Sequence, residues 1–139
     1  MKTLNSYLNF NGTTEQAFEF YKTVFDKEFS SLQRFSDTPM GEQLPEEDKR
    51  KIMHVALPLN DTIMLMGTDT LESMGHKWIE GNNISLSLSC DSKEEADELF
   101  SRLSKNGTIT LPLDTTFWGA YFGMVTDMFG IQWMINFEN

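Results

Sequence analysis

Cysteine, histidine and positive charge are all scarce in this sequence, and each shortage removes a class of function. The one cysteine among 139 residues, Cys90, excludes an internal disulfide and any multi-cysteine metal cluster within one chain. Cys90 ends an alternating, strand-like run, so it reads as a small half-buried thiol; a nucleophile would need a His or Lys nearby to lower its pKa. Lysine and arginine number 11 against 21 aspartate and glutamate, and the net charge of −10 repels phosphate backbones and anionic lipid heads. No nucleic acid and no membrane is therefore expected as a partner. No apolar run approaches the roughly 20 residues that a bilayer requires, and Met1-Lys2-Thr3-Leu4-Asn5 carries no apolar signal core. A cytoplasmic location is the expectation. Also missing are a glycine-rich phosphate loop, a Gly-x-Ser-x-Gly elbow and a His-Glu-x-x-His helix.

What is present is a repeat. Residues 7–10 form a strand-like run followed by Glu15, Ala17, Glu19, Phe20 and Tyr21 on a helix-like pattern, and residues 84–88 are followed likewise by Glu94, Ala96, Glu98, Leu99 and Phe100. The offset, 94 − 15 = 79 residues, points to two tandem copies of one structural unit. A chain of this length, 40% hydrophobic, suits a single domain built from both copies.

Residues 3–10 alternate with the two-residue period of a strand, Leu4, Ser6, Leu8 and Phe10 on one face and Asn5, Tyr7 and Asn9 on the other. Asn11-Gly12 is a turn, and Thr13 with Gln16 predicts a capping box opening a helix whose stripe is Ala17, Phe20, Tyr21, Val24 and Phe25. A second strand is expected over 28–36. The breaker-rich segment 37–48, with Pro39, Gly41 and Pro45, predicts a mobile loop suited to a lid. Strands over 51–59 and 62–67 flank a tight turn at Asn60-Asp61, closing a first unit of about residues 1–67. A connector over 68–82 carries His76 and Trp78, which a plain linker would not need. The second unit, 83–139, repeats the order: a strand over 84–90, a helix over 92–105 capped by Asp91 or Ser92, a stop at Asn106-Gly107, and strands over 108–113, 121–126 and 131–137. Each unit is thus βαβββ, and the expected class is α+β.

Tyr7-Leu8-Asn9-Phe10-Asn11-Gly12, Glu15-Gln16-Ala17-Phe18-Glu19-Phe20-Tyr21, Met53-His54, Phe117-Trp118-Gly119-Ala120-Tyr121-Phe122-Gly123-Met124 and Asp127-Met128-Phe129-Gly130-Ile131-Gln132-Trp133-Met134 together resemble the PhnB-like family. That family belongs to the vicinal-oxygen-chelate, or glyoxalase/bleomycin resistance/dioxygenase, superfamily. The resemblance covers essentially the whole chain. It implies a glyoxalase-like fold of two βαβββ units whose paired curved sheets enclose a cleft, in a homodimer. Superfamily enzymes hold a divalent metal with His and Glu from the first and last strands of the units. Carried over residue by residue, those positions fall on Asn5 or Ser6, on Met64 or Met66, on Ser85 and on Met134. Amide, hydroxyl and thioether groups are poor ligands for zinc, iron or nickel, so no metal and no cofactor is expected. Some relatives carry the label of a ubiquinone-type methyltransferase; the glycine-rich strand-to-helix turn of a methyl-donor site is not in this sequence.

The candidate site residues follow from these strands. Met64, Met66, Met124 and Met134, with Trp118, Tyr121 and Trp133, offer a soft, polarizable wall for a partly apolar ligand, or ordinary core packing. Asn5, Tyr7, Asn9 and Ser85 are the polar groups expected to orient a small molecule. His54 reads either as a pocket acid, base or hydrogen-bond donor or as a histidine bonded to a backbone carbonyl or facing water. Trp118 faces a ligand or a dimer partner. The resulting expectation is a protein that binds a small, partly apolar molecule without a metal. The alternative is a metal-dependent or metal-free lyase- or dioxygenase-type enzyme using His54, Tyr7 or Tyr121 as acid or base, any metal being held partly by water or the partner chain, and a third reading is an interaction module with self-filled clefts.

Overall fold

All 139 residues, Met1–Asn139, are described by a computed structural model, whose chain divides between Ile79 and Glu80 into two units. The first contains β1 (Ser6–Phe10), α1 (Thr14–Phe25), β2 (Ser31–Arg34), β3 (Ile52–Pro58) and β4 (Met64–Asp69). Its sheet has the order β1-β4-β3-β2, with β1 parallel to β4 and the other pairs antiparallel. One face is covered by α1, which buries Ala17, Phe18, Tyr21 and Val24 against Leu8, Phe10, Val55, Leu57 and Leu65. Each of the larger side chains contributes about 1.5–3 kcal/mol by leaving water.

Gly67 lets α1 approach this closely. A Cβ at that position would lie 2.5 Å from Phe18 Cε1 and 3.1 Å from the Leu8 carbonyl oxygen. Gly67→Ala is expected to lower stability by about 1–3 kcal/mol through overpacking, read as a fall in the thermal midpoint.

The expected Thr13–Gln16 capping box is not formed, since Thr13 makes no side-chain cap bond. A stronger acceptor takes its place from the end of β4. Asp69 Oδ1 accepts from Gly12 N–H at 3.0 Å, Thr14 N–H at 3.1 Å and the Thr14 hydroxyl at 2.7 Å. Its Oδ2 accepts from Ile52 N–H at 2.8 Å. A buried carboxylate meets several donors at the positive end of α1, which a single hydroxyl cannot do.

Segment 37–48 is also more regular than its breakers suggest. Two 3-10 turns, Phe35–Asp37 and Pro39–Gln43, lead into α2 (Glu46–Lys49). Pro39 occupies the first position of its turn, where a missing N–H costs nothing. Asp48 is buried and accepts from Lys51 Nζ at 2.9 Å and Ser73 Oγ at 2.7 Å. Those bonds, the Lys51 one foremost, hold its carboxyl below the ordinary value of 3.8. A folded pKa below the unfolded one stabilises above the unfolded value, and that contribution is lost as pH falls through the folded value. Asp48→Asn is therefore expected to lower the thermal midpoint at neutral pH, and the gap from wild type should narrow below about pH 4.

Residues 68–79 belong to this first unit. β4 runs on to Asp69, a 3-10 turn spans Glu72–Met74, and the Trp78 indole N–H donates to the Asn9 carbonyl at 2.9 Å.

The second unit contains β5 (Leu86–Ser89), α3 (Lys93–Leu103), β6 (Thr108–Thr115), β7 (Tyr121–Thr126) and β8 (Gln132–Phe137). The order β5-β8-β7-β6, with β5 parallel to β8, reproduces that of the first unit, as the repeat requires. Ser92 caps α3 by accepting from Glu95 N–H at 3.0 Å, while Glu95 accepts from Asp91 N–H at 3.0 Å. Ala96, Phe100 and Leu103 of α3 are buried, as are Val125, Trp133 and Ile135. Two four-stranded sheets, one from each βαβββ unit, make the chain an α+β protein of glyoxalase-like fold.

Candidate functional site

In the first unit, strand alternation leaves one sheet face bare of its helix. β1 sends Tyr7 and Asn9 to it, and the register places Met66 beside Tyr7 and Thr68 beside Asn9 on β4. Met64 and Met66 lie across from Pro58 and Ala56 of β3, and His54 and Ala56 across from Gln33 and Ser31 of β2. This open face contains no Asp, Glu, Lys or Arg, although 23% of the chain is charged.

Two of these side chains are joined. The Tyr7 hydroxyl and His54 Nδ1 are 2.9 Å apart, with ring centroids at 5.7 Å. Burial raises the Tyr7 pKa above its ordinary 10.0, so the phenol keeps its proton at neutral pH. With the phenol as donor, the neutral imidazole carries its proton on Nε2; with the ring as donor, the phenol O–H is free. Either arrangement leaves one donor for a third group. Asn5 lies just ahead of β1, its amide donating to Thr3 Oγ1 at 3.1 Å.

Of the sequence-derived candidates, Tyr7, Asn9, His54, Met64 and Met66 thus share one face. In the second unit Met124 and Met134 are directly paired on the side away from α3, next to Ser87. Ser85 precedes β5 and is exposed, and Trp118, 56% exposed, lies in the β6–β7 turn with its ring 6.2 Å from that of Phe122. Trp133 and Tyr121 go elsewhere. Trp133 is 1% exposed on the α3 side, where its indole N–H donates to Asp127 Oδ2 at 2.8 Å. The Tyr121 hydroxyl donates to Asp97 of α3, and Lys93 Nζ stands 5.0 Å from its ring centroid. The Asp97 bond, burial and the charge of Asp97 push the phenol up to about 12. A phenol holding its proton that firmly is not a general base near neutrality.

A pocket of about 400 Å³ adjoins the open face of the first unit beyond the ends of β1 and β4. Phe35, Met40 and Met74 line it with His76 and Lys77, and sequence reasoning singled out only His76 among these. The signal available was a connector carrying an imidazole and an indole that a linker would not need. Cys90 is half-buried, and burial together with Glu95 and Asp91 raises its thiol to about 11, so it is mostly uncharged at neutral pH.

The superfamily's metal can be tested against these side chains. The face positions on the first and last strands of each unit offer phenol, amide, hydroxyl and thioether groups: Tyr7 and Asn9 beside Met66, Ser87 beside Met134. No group of three or more His, Cys, Asp or Glu in the chain is arranged to hold a metal ion. This donor set does not fit a divalent transition metal. No helix is long and apolar enough to cross a membrane.

Comparison with known proteins agrees with this geometry. Residues 2–136 match the family described as 3-demethylubiquinone-9 3-methyltransferase. Protein PA1353 from Pseudomonas aeruginosa is 37% identical, with a TM-score of 0.85 over 98% of this chain and 97% of that one. A putative 3-demethylubiquinone-9 3-methyltransferase, PhnB protein, from Bacillus cereus is 27% identical, with a TM-score of 0.77 over 96% of this chain and 98% of that one. A glyoxalase/bleomycin resistance protein/dioxygenase family enzyme from Burkholderia phytofirmans PsJN, 17% identical, shares the fold with a TM-score of 0.62 over 96% of this chain and 98% of that one. Each sheet here has a single parallel pair, unlike the parallel sheet that presents a glycine-rich turn to a nucleotide. The chain belongs to the 3-demethylubiquinone-9 3-methyltransferase family of PhnB-like proteins, and it shares its fold with a glyoxalase/bleomycin resistance protein/dioxygenase family enzyme.

Proposed function

We propose that the protein binds a small, partly apolar molecule on the open face of its first sheet without a metal ion, as a sequestering or sensing protein. The supporting observation is the uncharged composition of that face. A sheet face meant for water normally carries charged side chains, and a face lacking them is covered by a ligand without stripping water from any ion. Met64 and Met66 supply an adaptable apolar wall, and the Tyr7–His54 pair with Asn9 supplies orientation.

Elemental analysis and native mass spectrometry of untagged protein test this reading. A metal-free protein carrying a copurified small molecule supports it, and a stoichiometric transition metal held by protein side chains overturns it. Tyr7→Phe and His54→Ala are each expected to weaken ligand binding about fivefold to tenfold by removing one orienting hydrogen bond.

A homodimer is part of the proposal. Ile79, Ile84 and Phe117 are 75%, 75% and 98% exposed in the single chain, and a contact between copies would remove such side chains from water. Light scattering at micromolar concentration reads the mass.

The Tyr7–His54 hydrogen bond also favours a second reading, a metal-free enzyme in which the imidazole accepts or delivers a proton. Turnover that survives a chelator and disappears in His54→Ala distinguishes it from pure binding.

A further inference from the structure

The pocket beyond β1 and β4 differs from the open face in carrying charged groups, among them a cation at its rim. Its apolar wall is Phe35 and Met40 from the two 3-10 turns, Met53 from β3 and Met74 from the turn after β4. His76 and Lys77 stand beside them.

The segment bearing these two residues is tied down along its length. His76 N–H donates to the Leu71 carbonyl at 3.2 Å, and Leu71 N–H donates to His76 Nδ1 at 3.1 Å. Ser73 donates to Asp48 at 2.7 Å, and the Trp78 indole donates to the Asn9 carbonyl at 2.9 Å. Because Nδ1 accepts, the neutral His76 ring carries its proton on Nε2. Lys77 takes part in none of the chain's ion pairs, which use Lys22, Arg34, Lys49, Lys51 and Arg102. The rim therefore presents an ammonium and an imidazole N–H, both donors.

Asp69, the one acid lining the pocket, does not answer them. Both its oxygens are engaged elsewhere, Oδ1 by three donors from Gly12 and Thr14 and Oδ2 by Ile52 N–H, and its charge faces the N-terminus of α1.

We propose that this pocket takes the head of an amphipathic organic acid: the carboxylate on Lys77 Nζ and His76 Nε2, the hydrocarbon or aryl body on Phe35 and the methionines. The volume of about 400 Å³ suits a ligand of that size. The proposal rests on the ligand-binding reading of the open face, with which the pocket shares Asn9 and Thr68, and adds the anionic end. In a chain of net charge −10, an unpaired lysine beside an apolar cavity is what lets an anion approach.

Isothermal titration of the full chain with 3-phenylpropanoate, and with 3-phenylpropanamide as its uncharged counterpart, tests it. The acid is expected to bind about tenfold more tightly than the amide, as a charge-assisted pair allows. In Lys77→Met, an exposed substitution, the acid should fall to the affinity of the amide while the amide is unchanged. Met53→Glu should weaken both ligands. Equal affinity of acid and amide for the wild type overturns the anionic head and leaves the open-face reading standing. A preference for the acid that persists in Lys77→Met overturns its placement. Failure of both ligands to bind at millimolar concentration overturns the pocket itself, whereas the open-face reading is decided separately by the copurified ligand.

Discussion

Replacing Asp69 by alanine is expected to lower stability by about 2–5 kcal/mol, the cost of leaving buried donors without their acceptor. The residue is 3% exposed, and its carboxylate collects four donors from three stretches of chain: the turn before α1, the first residue of α1 and the start of β3. Removing it orphans the N–H groups of Thr14 and Ile52, both buried, at about 1–3 kcal/mol each. Gly12 is half-buried, so its N–H can turn partly to water and adds less. Asp69→Asn keeps one acceptor oxygen but sets an NH₂ group against remaining donors, so an intermediate loss is expected. Urea denaturation measures the size of the effect, and hydrogen exchange its place: protection should fall first in α1 and at the start of β3. A midpoint within about 0.5 kcal/mol of wild type would mean that the helix start is held by packing alone.

Asp69 also marks the limit of what the sequence made legible. The elements themselves were readable because they obey short periods: residues 121–126 alternate as a strand, α1 carries its apolar residues at helical spacing, and Ser92 with Glu95 forms a local cap. Thr13 and Gln16 show the same local pattern, yet a carboxylate 55 residues from Thr14 takes the cap, and nothing near Thr13 announces it. Segment 37–48 hides its regular turns from its sequence for a related reason. Its 3-10 turns close by bonds three residues apart and expose most side chains, so no apolar period appears; the buried positions Phe35, Gly41 and Asp48 show only in three dimensions.

The same contrast holds for the candidate site. Tyr7, Asn9, Met64 and Met66 were readable as one face because a period of two on neighbouring strands fixes it. The Tyr7–His54 bond was not, since it depends on β3 lying next to β4 rather than next to β1. Phe35, Met40 and Lys77 meet through turns whose packing no local pattern specifies.

Trp133→Ala is expected to cost about 3–5 kcal/mol, while Met134→Ala, one residue on, should cost about 1 kcal/mol or less. Adjacent strand residues point to opposite faces, so a ligand wall containing Met134 cannot contain Trp133. The indole is 1% exposed beneath α3, and its removal leaves a cavity that Phe100, Leu103 and Ile135 cannot collapse into fully. Trp133→Phe separates the two parts of the cost: most of the volume remains, but the indole hydrogen bond to Asp127 Oδ2 is lost, for about 1–2 kcal/mol. Oδ1 of Asp127 still accepts from Phe129 and Ile131 N–H, so the turn into β8 should persist. Met134 lies across from Met124 on the face away from α3, half-buried and without a polar partner. Its truncation removes soft surface from that face and leaves the core intact. Chemical denaturation of the three variants gives the order Trp133→Ala, Trp133→Phe, Met134→Ala in decreasing loss; the reverse order would place Met134 in the core and return Trp133 to the open face.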